Sequence, residues 1–541
     1  MNISKAILEY LKLKGVDYAF GIPAGTVSPI FDAMNDVNIK PIITKNEAGA
    51  AYSAARYASA SGKIGVCIGA GAVGANNMTN GIADAMRAKL PVLMLSGYVN
   101  RKNIGKGALQ ELDTEQIFKP ITKYSKTILE ESQVLPELKK AVEIALTPPM
   151  GPVHLSISVD IQSSKFYGDL VSLIEEDIHT KCIEPHSDSI EKAVNIINSE
   201  TFGIIFVGKG CRGLSSSIME LSEHLQWPIM TTPSGKGIIP SEFKLNLGVY
   251  GFSSSDAAYE YVSEGNASCI IVLGSSLGES ATENFDPCFF TNKKIIHVDW
   301  DLKELGKVFD TNVNINADLK DIIPIFIDRT RKKNIHFTRS EINKPYENNH
   351  TGVSLRRFLE GLPKLLPPET RYLCDLGEFM NFVIKYLPIH QGGDFDMNIG
   401  YAAMGSSIGG ALGAYFADTE KLVVVFAGDG CFFMNGMEIL SAKEYNVPII
   451  YIIINNSMLG FVEHGHKYLF GRSLDEFVQK RISICEMMNA AGIKSIEIRD
   501  IKDMVKIQDC ISNLDGPLVI EIITDGSEAP PIMGRLKALK K

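Results

Sequence analysis

KLVVVFAGDGCFFMNGMEILSAKEYNVPIIYIIINNSMLG, residues 421–460, carries two short apolar runs separated by a helical stretch. The first run, 422–426, reads as a buried strand that passes directly into Gly428-Asp429-Gly430. Glycine without a Cβ lets backbone amides approach an anion, and the helix that follows turns its positive end toward it. The Asp429 carboxylate offers the hard oxygen that Mg²⁺ prefers. The second run, 448–454, delivers Asn455-Asn456, with Asn456 standing 27 positions after Asp429. Parallel neighbouring strands would bring one carboxylate and one amide oxygen to the same sheet edge, where open α/β sheets bind ligands. A GDG tripeptide alone is an ordinary tight turn; it is the whole strand, GDG, helix, strand, NN arrangement that is specific.

The same alternation of β-branched runs and helical stretches extends along the chain, as in parallel α/β domains. Predicted strands fall at 18–20, 41–43, 64–68 and 91–95, then 203–207, 228–231, 269–273 and 294–298, then 372–374, 422–426, 448–454 and 517–523. Helices rich in small residues are predicted over 47–60 and 75–87, and an amphipathic one at the N-terminus. Polar stretches near 174–189 and 329–351 read as linkers. They divide the chain into three consecutive doubly wound parallel-sheet α/β domains, 1–173, 190–328 and 352–541, the first and third alike in texture.

At 541 residues the chain exceeds a single core. A net charge of -9 leaves no basic footprint for nucleic acid, only a basic tail at 535–541. No apolar run reaches membrane-spanning length, so no membrane partner is expected. Nine scattered cysteines without a CxxC pair suggest reduced thiols and a cytoplasmic setting.

Residues 421–460 resemble the thiamine-diphosphate motif shared by acetolactate synthases, pyruvate decarboxylases and pyruvate oxidases. The resemblance extends over nearly the whole chain, with an acetolactate-synthase-like texture. It implies that Gly428, Asp429, Gly430 and Cys431 cradle the diphosphate, and that Asp429, Asn456 and the carbonyl of Met458 bind Mg²⁺. Cys431 departs from the usual Ser there, though its backbone amide is still available to donate. FGIPAGTVSPIFDAM, which contains Gly25, and PIITKNEAGAAYSAARYASASGK follow the family's pyrimidine-binding domain. Glu47, after a short strand and at the start of a helix of small residues, is then the carboxylate that activates the aminopyrimidine from an apolar niche. Read alone, it would be one more acid in the first turn of a helix. NIGYAAMGSSIGGALGA resembles the segment that wedges a bulky side chain between the cofactor rings, with Met404 in that place.

IIFVGKGCRG places Gly208 and Gly210 after a strand, which is a weak nucleotide signal. Flavin-binding relatives carry an arginine where this chain reads GSSLGESATENF, so the resemblance leans against FAD. Residues 1–150 contain no histidine, whereas simple pyruvate decarboxylases use an adjacent pair there to protonate the carbanion. That absence favours ligation of a 2-oxo acid, pyruvate in the first instance, to a carbonyl acceptor. GKGALQELD resembles a segment placing Gln110 near the substrate carboxylate, with Leu109 replacing an aromatic residue. GFVEHGHKYLFGR puts His464 where the family has an acceptor-selecting Trp, with His466 close by. A surface histidine pair is the plain alternative. A decarboxylase or oxidase without ligation, and a non-catalytic relative, are the competing readings. Because Glu47 and Asp429 lie in different domains, the family pattern implies a homodimer at least, and commonly a tetramer.

Overall fold

The computed structural model describes residues 1–167, 185–335, 352–528 and 530–531. The basic tail and most of both predicted linkers lie outside these residues; the described end of the first is already helical, in Ser187–Ser199.

Three sheets of six parallel strands follow one another along the chain. The first has β1 (Tyr18–Gly21), β2 (Lys40–Ile43), β3 (Gly65–Gly69), β4 (Val92–Tyr98), β5 (Tyr124–Ile128) and β6 (Val153–Ser158), ordered β2–β1–β3–β4–β6–β5. The second has β7 (Gly203–Val207), β8 (Ile229–Thr231), β9 (Asn246–Val249), β10 (Cys269–Leu273), β11 (Lys294–Asp299) and β12 (Val313–Asn316), ordered β9–β8–β7–β10–β11–β12. The third has β13 (Arg371–Cys374), β14 (Asp394–Asp396), β15 (Val423–Gly428), β16 (Ile449–Asn455), β17 (Lys494–Ile498) and β18 (Leu518–Ile523), ordered β14–β13–β15–β16–β18–β17. The first and third sheets therefore share one winding, as their texture suggested.

Continuous apolar runs are strands buried on both faces. In β7, Ile205 and Val207 join one core cluster while Ile204 and Phe206 join the cluster on the opposite face. The sequence reading missed six strands, and five of them (β5, β9, β12, β14 and β17) are sheet edges with short or half-polar sequences. The sixth, β6, is interior, but its Ser156 and Ser158 interrupt the apolar pattern and bond to the Gly97 and Val99 carbonyls. The helix predicted over 75–87 is two helices, Val73–Asn77 and Thr79–Arg87, joined where the Met78 amide tightens onto the Ala75 carbonyl at 3.0 Å. Among the described residues no helix is long and apolar enough to cross a membrane.

The three domains meet at Asp396. One of its carboxylate oxygens accepts from Lys209 Nζ at 2.9 Å; the other accepts from Ser59 Oγ at 2.7 Å. Arg56 and Arg212 lie 3.4 and 3.5 Å away. Arg212 also donates to the carbonyls of Ser59 and Phe395. Although burial works against ionisation, this surplus of cations holds the Asp396 carboxyl well below the usual carboxylate range. An Asp396→Asn variant would remove the anion shared by three cations, leaving Arg56 and Arg212 the more distant Asp84 and Asp394 at 3.9 and 3.8 Å. Breaking a buried pair from one side costs about 3–5 kcal/mol, so its chemical-denaturation midpoint should fall sharply. An unchanged midpoint would show that the junction does not carry stability.

Candidate active site

β15 and β16 pair with Gly428 opposite Ile454, so Asp429 and Asn456 leave the third sheet at the same carboxyl-end edge. A cleft opens there, lined by Gly428, Asp429, Gly430, Cys431, Asn456, Met458 and Met404 among residues between Val353 and Glu528. Asp429 begins the helix Asp429–Asn435. Its carboxylate accepts only backbone N–H groups, from Gly430 and Ser457, each at 2.9 Å. Burial raises its pKa, and among the described residues no cation pairs with it. Such a carboxylate is suited to a bound metal ion. The amide oxygen of Asn456 accepts from Met458 N at 3.1 Å, and Ser457 between them sits at φ +55°, which folds the turn back toward the edge. Among the described residues no group of three or more His, Cys, Asp or Glu is placed to hold a metal ion. The donor set is thus one carboxylate with amide and carbonyl oxygens, which suits a hard cation. A Cβ on Gly430 would stand 3.2 Å from Met404 Cε, so Met404 packs closely over this glycine turn. The Cys431 thiol donates to the Leu376 carbonyl at 3.0 Å, and burial raises its pKa well above the ordinary value.

Glu47, Gly25 and Gln110 do not line this cleft. They belong to the corresponding edge of the first sheet. Glu47 opens the helix Glu47–Ser61 behind an Asn46 cap, and its carboxylate accepts from Asn77 Nδ2 at 2.9 Å. It also stands 3.1 Å from where a Cβ on Gly74 would lie. The expected apolar niche is not closed within one chain, for Glu47 is only half-buried. Gly25 is exposed with no atom near its Cβ position; next to it, Thr26 Oγ1 accepts from Gly71 N at 3.0 Å. Gln110 is exposed at φ +65° with its carbonyl against Gly71.

His464 sits on the helix Gly460–Phe470 and does not line the cleft itself. Its Nδ1 pairs with the carboxylate of Glu378, which does. His466 is wedged between the rings of Phe470 and Phe477 instead. The sequence reading missed Glu378, although its place in CDLGEF, directly after β13 and beside the GDG strand, was a usable signal. It also missed Glu438, which accepts from the backbone N–H groups of Lys45 and Asn46 at 2.9 and 2.7 Å and so fixes the turn that presents Glu47. Burial pushes the Glu438 pKa up to about 7 against those donors.

The Glu378 carboxylate raises the pKa of His464, while burial opposes it. A histidine raised on folding stabilises the fold fully below its unfolded pKa, near 6.5, and that contribution is lost as pH rises through the folded value. In Glu378→Gln the imidazole titration, followed by NMR, should therefore move to lower pH. An unmoved midpoint would remove Glu378 as the cause.

Family models place the same architecture on the chain. Residues 1–117 match the N-terminal TPP binding domain of thiamine pyrophosphate enzymes, 190–325 their central domain, and 375–522 their C-terminal TPP binding domain. A probable acetolactate synthase large subunit of Methanocaldococcus jannaschii is 28% identical, over 99% of this chain and 94% of its own length. The acetolactate synthase large subunit of Lactococcus lactis is 29% identical over 97% and 93%. Acetolactate synthase isozyme 2 large subunit of Escherichia coli is 26% identical over the full length of both. With its three sheets and three matching domains, the chain belongs to the thiamine-pyrophosphate-dependent enzymes and is similar throughout to their acetolactate synthases.

Proposed function

We propose that this chain is a thiamine-diphosphate- and Mg²⁺-dependent carboligase. It would decarboxylate a 2-oxo acid, pyruvate in the first instance, and transfer the acyl unit to a carbonyl acceptor. The observation that carries the reading is the pair of half-sites: Asp429 and Asn456 at one sheet edge, and Glu47 at the corresponding edge of an equivalent sheet. Asp429, Asn456 and the Met458 carbonyl would hold the metal, with Met404 packed over Gly430 as the wedge between the cofactor rings. Glu47 would hold a proton at the pyrimidine ring nitrogen. The bound thiazolium would supply the electron sink that decarboxylation requires. With no histidine in residues 1–150, the first half-site lacks the proton donor that would release an aldehyde, which favours ligation. Glu378 and His464 bring a charged pair to the acceptor side, where the family carries Trp, and so favour an acceptor other than the usual small 2-oxo acid.

The glycine turn of the central domain supports the lean against a flavin dinucleotide. The Gly208 and Gly210 amides already donate to the Leu273 and Gly274 carbonyls at 2.8 and 3.0 Å. Lys209 and Arg212, from the same turn, are committed to the third domain. A homodimer at least, with a tetramer as the further step, would join the two half-sites. Exposed apolar side chains flank both: Val73 and Leu109 on the first, Phe433 and Met434 on the third. Among the described cysteines other than Cys288 none is in a disulfide, in keeping with the cytoplasm.

Purified protein supplied with Mg²⁺, thiamine diphosphate and ¹³C-pyruvate should form a labelled condensation product when a panel of aldehydes and 2-oxo acids is present. Labelled acetaldehyde or acetate alone would instead mark a non-ligating decarboxylase or oxidase. Glu47→Gln should leave cofactor affinity nearly unchanged while lowering turnover about 10²–10⁴-fold, the range for a positioned proton-transfer group. A fully active variant would refute the role given to Glu47.

A further inference from the structure

Away from the cleft, a cavity of about 370 Å³ lies between the central and third domains, in the size range of small-molecule sites. Edge strand β9 and the loop before it bound one side, and the C-terminal ends of the helices Leu355–Gly361 and Phe379–Tyr386 bound the other. Lys236 lines it. That side chain is only 8% exposed, and its ammonium makes no hydrogen bond or ion pair with any described residue. Its Nζ stands 5.9 Å from the centre of the Phe395 ring. The other charged residues on the wall are satisfied: Lys385 pairs with Asp256 at 3.0 Å and Glu360 with Arg356 at 2.9 Å.

Two hydroxyls on the wall have donors to spare. Ser255 Oγ accepts from Val249 N, and Ser241 Oγ accepts from Ile389 N, each at 2.9 Å. Each hydroxyl hydrogen is left to donate elsewhere. An ammonium buried without an anion is costly, and a protein that keeps one gains by giving it a partner. Burial pushes the Lys236 pKa down to about 7.

We propose that this interdomain cavity binds a small anion, a carboxylate or a phosphate group, through the Lys236 ammonium and the Ser241 and Ser255 hydroxyls. The Lys236 contact would be charge-assisted, and the hydroxyls would fix the orientation of the group. None of these residues lines the cleft that holds Asp429, so the site is separate from the one described above.

The test is isothermal titration of the full-length chain, with thiamine diphosphate and Mg²⁺ saturating so that the diphosphate turn is filled. Inorganic phosphate and acetate are titrated separately, and whichever binds identifies the headgroup. The expected result is saturable binding of at least one probe, weakened about 10–100-fold in Lys236→Met, which corresponds to loss of one charged hydrogen bond. Lys236→Arg, which keeps the charge, should retain most of the binding, and turnover on saturating substrate should be unchanged in both. Failure of both probes to bind the wild-type chain would overturn the proposal. So would the absence of any binding component that Lys236→Met removes.

Discussion

The helices Glu47–Ser61 and Ser406–Ala417 cross in backbone contact, and the rest of the site depends on that contact. A Cβ on Gly413 would lie 1.8 Å from the Ser53 carbonyl, and one on Gly410 would lie 2.4 Å from Arg56 Cγ. Ser53 Oγ donates to the Gly409 carbonyl at 2.8 Å across the same seam. Only small residues permit this approach, which accounts for EAGAAYSAARYASAS on one side and SSIGGALGAYFA on the other. Each helix also begins at chemistry. One starts with Glu47; the other starts two residues after Met404. Packing between the first and third domains therefore sets where Glu47 and Met404 stand.

Electrostatics complete what packing begins. Asp396 gathers cations from the first and second domains, and Glu438 reaches from the third domain to the backbone that presents Glu47. The glycine turn after β7, which in a dinucleotide-binding domain would face a diphosphate, is filled by its own neighbours and contributes Lys209 and Arg212 to the junction. The central domain is thus tied to the third through Lys209 and Arg212, while the outer two domains share one winding.

Interior strands such as β7, β10, β15 and β16 were legible in the sequence because both faces are buried and nearly every residue is apolar. The edge strands were not, since a strand such as DFD or VNIN shows too little hydrophobic pattern to stand out. The positions of Asp429, Asn456 and Glu47 at the carboxyl ends of strands were legible, because each follows a strand in a specific local context. Glu378 and Glu438 were harder to find. Their partners are 86 and about 390 positions away, and only the folded chain brings them together. The half-buried state of Glu47 has the same origin, because the rest of its niche does not come from its own strand and helix.

Whether the two half-sites meet between chains is most directly tested by complementation. Glu47→Gln and Asp429→Asn, each inactive alone, would be co-expressed and the mixed assembly isolated. If one cofactor is held by Asp429 of one copy and Glu47 of another, the hybrid contains one intact site and recovers a fraction of wild-type turnover. If each chain builds its own site, every site in the hybrid carries a lesion. An inactive hybrid would then contradict the shared-site account.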